Sequence, residues 1–358
     1  LYLGVRHERL RGSAYDDFVD AFVQAFRRRF PDALLQWEDF SKQRAFDLHD
    51  RYRDALPSFN DDVQGTGAVV LAGLLAAARL SGRPITDETI AIHGAGAGGV
   101  GVARQIKAGL MRAGLSDRDA RARILVLDSR GLITQGRAGL DVYKAEVAQP
   151  AERLAGWSYD GDAPDLEATV REGGVTALIG LSGQAGAFGR KVVEAVDRNT
   201  PVPKIFPLSN PTRHAEALPE DVLAWTEGRA LVATGSPFPD VVRGDVRTVI
   251  GQGNNAFVFP GVGLGAVLAR ARTVSDDMLS AAAEALAESV DAGRLEHGAL
   301  FPRVANLREV SCQVAVAVIH QARIEGQATE DLPDDLDAFV ERAMWTPSYL
   351  PLRRSAAD

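Results

Sequence analysis

Apolar residues recur at three- and four-residue intervals from Ala14 to Phe30, where Tyr15, Phe18, Val19, Phe22, Val23 and Phe26 form one stripe. That spacing predicts an amphipathic helix, and Arg27, Arg28 and Arg29 follow where the helix dipole favours cations. Leu34-Leu35-Gln36-Trp37 reads as a short strand ending in the acidic pair Glu38-Asp39. Ala45 to Leu56 reads as a helix stopped by Pro57, Ser58-Phe59-Asn60-Asp61-Asp62 as a turn, and Gly67 to Leu80 as an Ala/Leu-rich helix.

Beyond this point short β-like runs alternate with helical stretches: Thr89 to His93, Ile124 to Leu127, Val175 to Leu181, Lys204 to Leu208 and Ala230 to Ala233. The alternation predicts an α/β fold with a doubly wound parallel sheet. After Gln252 the pattern changes to helices at Ser275 to Val290 and Glu309 to Arg323, then a polar, Pro-punctuated tail from Leu332. No repeat at a solenoid or propeller period is present.

Thr89-Ile90-Ala91-Ile92-His93 runs into Gly94-Ala95-Gly96-Ala97-Gly98-Gly99-Val100-Gly101, after which Val102, Ile106 and Leu110 continue one helical face. A strand, a glycine loop and a helix in this order suit a dinucleotide, because only residues without Cβ let the backbone close on a pyrophosphate. The candidates are Gly94, Gly96, Ala97, Gly98, Gly99 and Gly101, with a helix expected to begin near Gly98 and to point free N–H groups at the diphosphate. The alternative is a tight strand-to-helix turn. Asp128 lies further on than the ~20 residues usual for a ribose-binding acid, which a longer crossover helix accommodates. Ser129, Arg130 and Lys144 follow it; they suit a 2′-phosphate or form a solvated loop. NADP is the expected cofactor, with NAD as the alternative.

Glu38-Asp39 and Asp61-Asp62 place four carboxylates in two clusters separated by one helix, a pattern that suits convergence on a hard divalent cation. Without a neighbouring Cys or His pair, such ligands favour Mg²⁺ or Mn²⁺ over zinc. The other reading is a solvated loop or a helix cap.

Composition narrows the classes further. The 358 residues are 46% hydrophobic and 25% charged, enough for a large core and two domains. Lys and Arg number 40 against 48 Asp and Glu, with no basic concentration, which argues against nucleic acid as a partner. The longest uncharged apolar run, Gly67 to Ala78, is shorter than the roughly 20 residues of a bilayer span, and no secretory signal is visible. The single Cys312 excludes an internal disulfide, fits a reducing, cytoplasmic setting, and is expected as a small buried apolar group. The chain opens at Leu1-Tyr2-Leu3 without Met, and a fragment is the expectation.

Trp37-Glu38-Asp39-Phe40, Ser58-Phe59-Asn60-Asp61-Asp62-Val63-Gln64-Gly65-Thr66 and the glycine loop together resemble the malic enzymes, oxidative decarboxylases of malate. Leu208 to Thr212, Gly235 to Phe238, Gly251 to Asn255 and Phe257 to Gly261 add to the match in the family's order. The resemblance implies Glu38, Asp39 and Asp62 as metal ligands and Asp61 in the network around the catalytic base. It implies Asn210, Asn254 and Asn255 at the substrate or nicotinamide, and Asp128, Ser129, Arg130 and Lys144 as the pattern of NADP-preferring members. The corresponding division is 1–60 as the remainder of the N-terminal catalytic domain, 61–253 as the Rossmann-like dinucleotide-binding domain, 254–330 as the return to the mixed α/β metal and substrate domain, and 331–358 as a C-terminal arm. The implied chemistry is hydride transfer from C2 of malate to the nicotinamide, followed by loss of CO₂ with the metal polarising the new carbonyl. A homo-oligomer, dimer or tetramer, goes with it.

The family's tyrosine acid, lysine base and a malate-binding arginine lie upstream of the block that Leu1-Tyr2-Leu3-Gly4-Val5-Arg6 matches. Tyr2, Tyr15 and Lys42 do not fit those motifs, so these residues alone are expected to turn malate over poorly. Two other readings stand beside this one: a malolactic-type enzyme giving lactate with bound NAD, and a non-catalytic dinucleotide-binding module.

Overall fold

Residues 13–60 build a small layer of their own in the computed structural model, which describes Gly4, Arg6 and residues 8–349. Helix α1 (Ser13–Arg29) turns Val19 and Val23 onto a cluster made by Trp37, Leu48, Tyr52 and Leu56. Strand β1 (Leu35–Trp37) pairs in parallel with β2 (Ser58–Asn60), the two flanking α2 (Lys42–Tyr52) in sequence. Two expectations are corrected here. The second helix starts three residues earlier than expected and ends well before Pro57, because the chain must straighten to enter β2. The turn expected at Ser58–Asp62 is strand β2 followed by a π-helical turn, Asp61–Gly65. Asn60 caps it: the side chain accepts from the Val63 N–H at 3.0 Å.

The π turn runs directly into α3 (Thr66–Ser81), so the helical stretch is longer than the apolar run alone suggests. Its 21 residues are apolar enough to cross a membrane by length and composition, yet 72% of the most apolar window is buried inside the protein. A helix hydrophobic all round needs cover on every side, and two later helices, Ala97–Arg112 and Asp276–Glu288, supply much of it.

The main sheet is built from β3 (Ile90–His93), α4 (Ala97–Arg112), α5 (Asp117–Ala122), β4 (Ile124–Asp128), β5 (Gly131–Leu132), α6 (Val142–Glu146), α7 (Leu166–Gly173), β6 (Ala177–Gly180), α8 (Arg190–Asn199), β7 (Lys204–Pro207), α9 (Pro219–Trp225) and β8 (Leu231–Thr234). A hairpin of β9 (Val241–Arg243) and β10 (Val246–Thr248) precedes β11 (Gly251–Gln252). Among the described residues the order is β11-β8-β7-β6-β3-β4-β5, parallel except for β5. The expected doubly wound architecture is therefore present. β3 lies between β4 and β6, so the chain reverses its direction of travel there, and the crevice at the carboxyl ends of β3 and β6 is where such sheets take ligands.

The chain then adds α10 (Phe259–Leu268), α11 (Asp276–Glu288), α12 (Ala292–Glu296), α13 (Leu307–Ile324) and α14 (Leu336–Ala343). One hydrophobic cluster joins α3, strands β3 and β6, and these C-terminal helices, with Leu332, Leu336 and Val340 of the tail buried in it. Cys312 differs from expectation: it sits half-buried on α13, at the margin of that cluster.

At the end of the sheet where the parallel strands begin, Lys204 of β7 donates to Glu88 at 2.6 Å, the two side chains only 1% and 3% exposed. Thr176 also donates to Glu88, tying the entries of β3, β6 and β7 together. Removing one partner of such a pair strands the other charge. Glu88→Gln should lower unfolding stability by about 3 kcal/mol in urea titrations, whereas Glu194→Gln, which breaks the exposed Arg190–Glu194 pair, should change it by under about 0.5 kcal/mol.

Candidate active site

β3 delivers the chain to Gly94, whose φ of +123° and close neighbours both require glycine: a Cβ there would lie 2.4 Å from the Leu181 carbonyl oxygen. A Cβ on Gly99 would meet the Gly94 carbonyl oxygen at 1.7 Å, and one on Gly101 would meet that of Val63 at 2.3 Å. These three glycines seat α4 against its neighbours. Gly96, by contrast, is exposed and faces open space. The helix starts at Ala97, one residue before the expected position, with no side chain capping it, so its first N–H groups are left for a ligand.

Gly98 brings this helix end onto the acidic turn, its Cβ position 3.6 Å from the Asp62 carbonyl oxygen. One cavity of about 810 Å³ is lined by Glu38, Asp39, Asp61, Asp62, Ala97, Gly98, Asn210, Asn254 and Asn255 together. Gly94, Gly96, Gly99, Gly101, Asp128, Ser129, Arg130 and Lys144 do not line it. A second cavity of about 710 Å³, beside α5 and the start of β4, contains none of the expected residues.

The two acidic clusters are clasped by one hydrogen bond: the Asp39 N–H donates to Asp62 Oδ2 at 2.9 Å. Asp39 holds φ at +62°, a region non-glycine residues seldom adopt. Asp61 is 2% exposed. Burial pushes its pKa up to about 6, opposed by the hydrogen bond from Asn255 and reinforced by the charges of Glu38 and Asp62. Asn255 Nδ2 reaches Asp61 Oδ2 at 2.9 Å and Thr66 Oγ1 at 3.1 Å, while Asp61 Oδ1 has no partner. Asn255, expected at the substrate, therefore holds Asp61. Asn254 caps the short turn Asn255–Phe257 by accepting from the Ala256 N–H at 2.9 Å, and Asn210 stands exposed at the cavity. Glu38 accepts from Gln36 Nε2 at 2.6 Å. Among the described residues no three Asp, Glu, His or Cys side chains already form a closed ligand set, so the carboxylates share a cavity without meeting at one point.

Asp128 closes β4 as expected, but its carboxylate is already engaged. Arg137 donates to it at 2.5 Å, Lys144 at 2.6 Å and the Arg130 N–H at 2.9 Å. Burial raises the Asp128 pKa, but these donors and charges outweigh it and hold the carboxyl below the usual range. The residues expected at a 2′-phosphate are engaged within the loop: Lys144 pairs with Asp128, and the Arg130 guanidinium donates to the Ala138 carbonyl at 3.2 Å. Ser129 is exposed. A desolvated strand-end carboxylate needs countercharge, and the loop supplies it. Lys42 likewise pairs with Asp141, and Tyr15 lies under the Arg44 guanidinium, so neither enters the cavity. Tyr2 is outside the described residues.

Residues 63–323 match the family model for the malic enzyme NAD binding domain, and residues 1–53 that for the malic enzyme N-terminal domain. The chain belongs to the malic enzyme family. The NAD-dependent malic enzyme of Proteus mirabilis is 43% identical over 356 residues, which cover 99% of this chain and 63% of that protein. The NAD-dependent malic enzyme of Photorhabdus laumondii is 44% identical with the same coverage. This chain therefore spans about 63% of the length of these relatives. The malic enzyme structure from Entamoeba histolytica aligns with a TM-score of 0.72 at 27% identity, covering 91% of this chain and 62% of that one. The one from Pyrococcus horikoshii gives 0.70 at 29%, covering 91% and 69%.

In this malic enzyme chain the sequence reading missed Arg137 and the segment Leu181–Gly183 after β6, which also lines the cavity. Arg137 carried one signal, a cation in the loop leaving a strand-end acid. Because Asp128 has a lower pKa folded than unfolded, its contribution to stability is present above about pH 4 and is lost as pH falls through the folded-state value. Urea titrations should show Asp128→Asn less stable than wild type by about 1–2 kcal/mol at neutral pH, allowing for solvent around its partners. A gap that does not close toward acid pH would refute the pairing.

Proposed function

We propose that the complete protein oxidatively decarboxylates L-malate to pyruvate and CO₂ with NAD as hydride acceptor and Mg²⁺ or Mn²⁺ bound. The observation that supports this most is the shared cavity, in which the acidic turn Asp61–Asp62 and the open helix end at Ala97–Gly98 face the same space. The chemistry of the donors suits a hard cation: all are carboxylates, and a hydrogen bond holds the two clusters at one cavity, where they stand near one another without forming a closed set among the described residues. Glu38, Asp39 and Asp62 would hold the ion. A bound ion would supply Lewis acidity toward the substrate's oxygens, and a bound nicotinamide would supply the hydride acceptor.

The chain's own residues do the rest of what falls within it. The N–H groups opening α4 bind the diphosphate, Asn210 orients substrate or nicotinamide, and Asn255 fixes Asp61 beside the metal position. No general acid or base is assigned among the described residues. NAD replaces the NADP expected from Arg130 and Lys144, since Lys144 is held on Asp128 and the relatives bear the name NAD-dependent. The division at 61–253 and 254–330, a homo-oligomer and a cytoplasmic setting belong to the same proposal.

In the complete protein, Asp62→Asn should weaken Mn²⁺ binding about tenfold or more, read by titration calorimetry, while Asp54→Asn at an exposed position should leave it unchanged. Equal effects would remove the metal assignment. Steady-state assays should give a kcat/KM for NAD above that for NADP by about tenfold, the size of one charge-assisted contact not made. Release of lactate in place of pyruvate, or dinucleotide binding without malate turnover, would overturn the reaction proposed.

A further inference from the structure

Glu216 is fully buried at 0% exposure, and among the described residues no cation pairs with it. Burying a carboxylate in this way is costly unless its lone pairs are filled. Four donors fill them: the Ser182 N–H and hydroxyl, each at 2.9 Å, the Ser209 hydroxyl at 2.5 Å and the Ser209 N–H at 3.3 Å. Ser182 stands two residues past the end of β6 and Ser209 two past the end of β7, at matching places on strands paired Gly180 to Pro207. One carboxylate therefore bridges the exits of two neighbouring strands. Gly180 permits the approach, since a Cβ there would lie 2.5 Å from the Glu216 carboxyl.

The bridge extends to the cavity wall. The Gly183 N–H donates to Ser209 Oγ at 2.9 Å, and Gly183, Ser209 and Asn210 all line the cavity. The same β6 exit touches the glycine loop through Leu181, whose carbonyl excludes any side chain at Gly94. In a doubly wound sheet a dinucleotide lies across the switch between β3 and β6, with the half beyond the diphosphate over the strands on the β6 side. An apolar residue could fill the same volume at lower cost. What an apolar residue cannot do is fix the two loops relative to each other.

We propose that Glu216 is a positioning residue that sets the loops leaving β6 and β7 as the floor for the nicotinamide half of the cofactor, an inference that rests on the dinucleotide reading above. It touches neither cofactor nor substrate and acts through Ser182, Ser209 and Gly183.

Calorimetric titration of the full-length protein with NAD and with ADP-ribose, which shares the adenosine and diphosphate but lacks the nicotinamide ring, separates this role from general stabilisation. Glu216→Gln should raise the Kd for NAD about tenfold, the effect of losing one charge-assisted hydrogen bond, and change that for ADP-ribose less than about twofold. Unchanged NAD binding, or equal loss for both ligands, overturns the inference. If Glu216→Gln does not fold, Ser209→Ala decides. It keeps the carboxylate and should weaken NAD about threefold, again without moving ADP-ribose; equal effects on the two count against the role. A wild type that binds neither ligand overturns the dinucleotide reading itself and this inference with it, whereas normal binding of both by the variants overturns only the role of Glu216.

Discussion

Four carboxylates at one cavity repel one another, and the surrounding structure is arranged to hold them there. Glu38 and Asp39 arrive from the end of β1, Asp61 and Asp62 from the end of β2, and the parallel pairing of those two strands brings the clusters together. The Asp39 N–H closes the gap onto Asp62, at the expense of a left-handed backbone at Asp39. Burial and the neighbouring charges make Asp61 harder to ionise, and Asn255 partly offsets them. The like charges, the left-handed Asp39 and the burial of Asp61 oppose stability locally, and a positive charge in the cavity would offset the first and the third.

That arrangement needs a rigid backing, which α3 and α4 provide. The π turn carrying Asp61 and Asp62 is the first turn of the most buried helix, and the close approach of Gly101 to Val63 locks α4 against it. The helix end offered to the diphosphate and the carboxylates offered to the cation are therefore mounted on one packed unit. A misplacement of either would carry the other with it, and such coupling suits a reaction that must align a hydride donor with a ring.

The strands, the glycine loop and the acidic pairs were legible in the sequence because their signals are local: runs of β-branched and aliphatic residues, glycines at a strand end, adjacent acids. What was not legible depends on distant partners. Asn255 meets Asp61 across 194 residues, and nothing in Gly253-Asn254-Asn255 announces that its amide holds a buried acid. Lys144 looked like a free cation beside Asp128 until the fold folded the loop back and paired it, with Arg137 as the unforeseen third member. Ser58 to Asp62 has the composition of a turn, yet a parallel neighbour 23 residues upstream recruits its first half as a strand, Leu35 opposite Ser58. Glu216 stands five residues past Pro211, and its own sequence carries no signal of the serines it bridges.

The cavity thus contains or borders two buried carboxylates treated in opposite ways. Glu216 has four donors and a closed hydrogen-bond network, the condition under which buried polar groups stiffen their surroundings. Asp61 has one oxygen satisfied by Asn255 and one with no partner at all, although an unpaired buried acceptor ordinarily costs as much as a lost hydrogen bond. A fold able to satisfy the first so completely is not short of donors. The free oxygen of Asp61 lies against Gly65, where a Cβ would meet it at 2.0 Å, so the absence of a side chain at that position is what lets the acid seat itself beside its own helix turn.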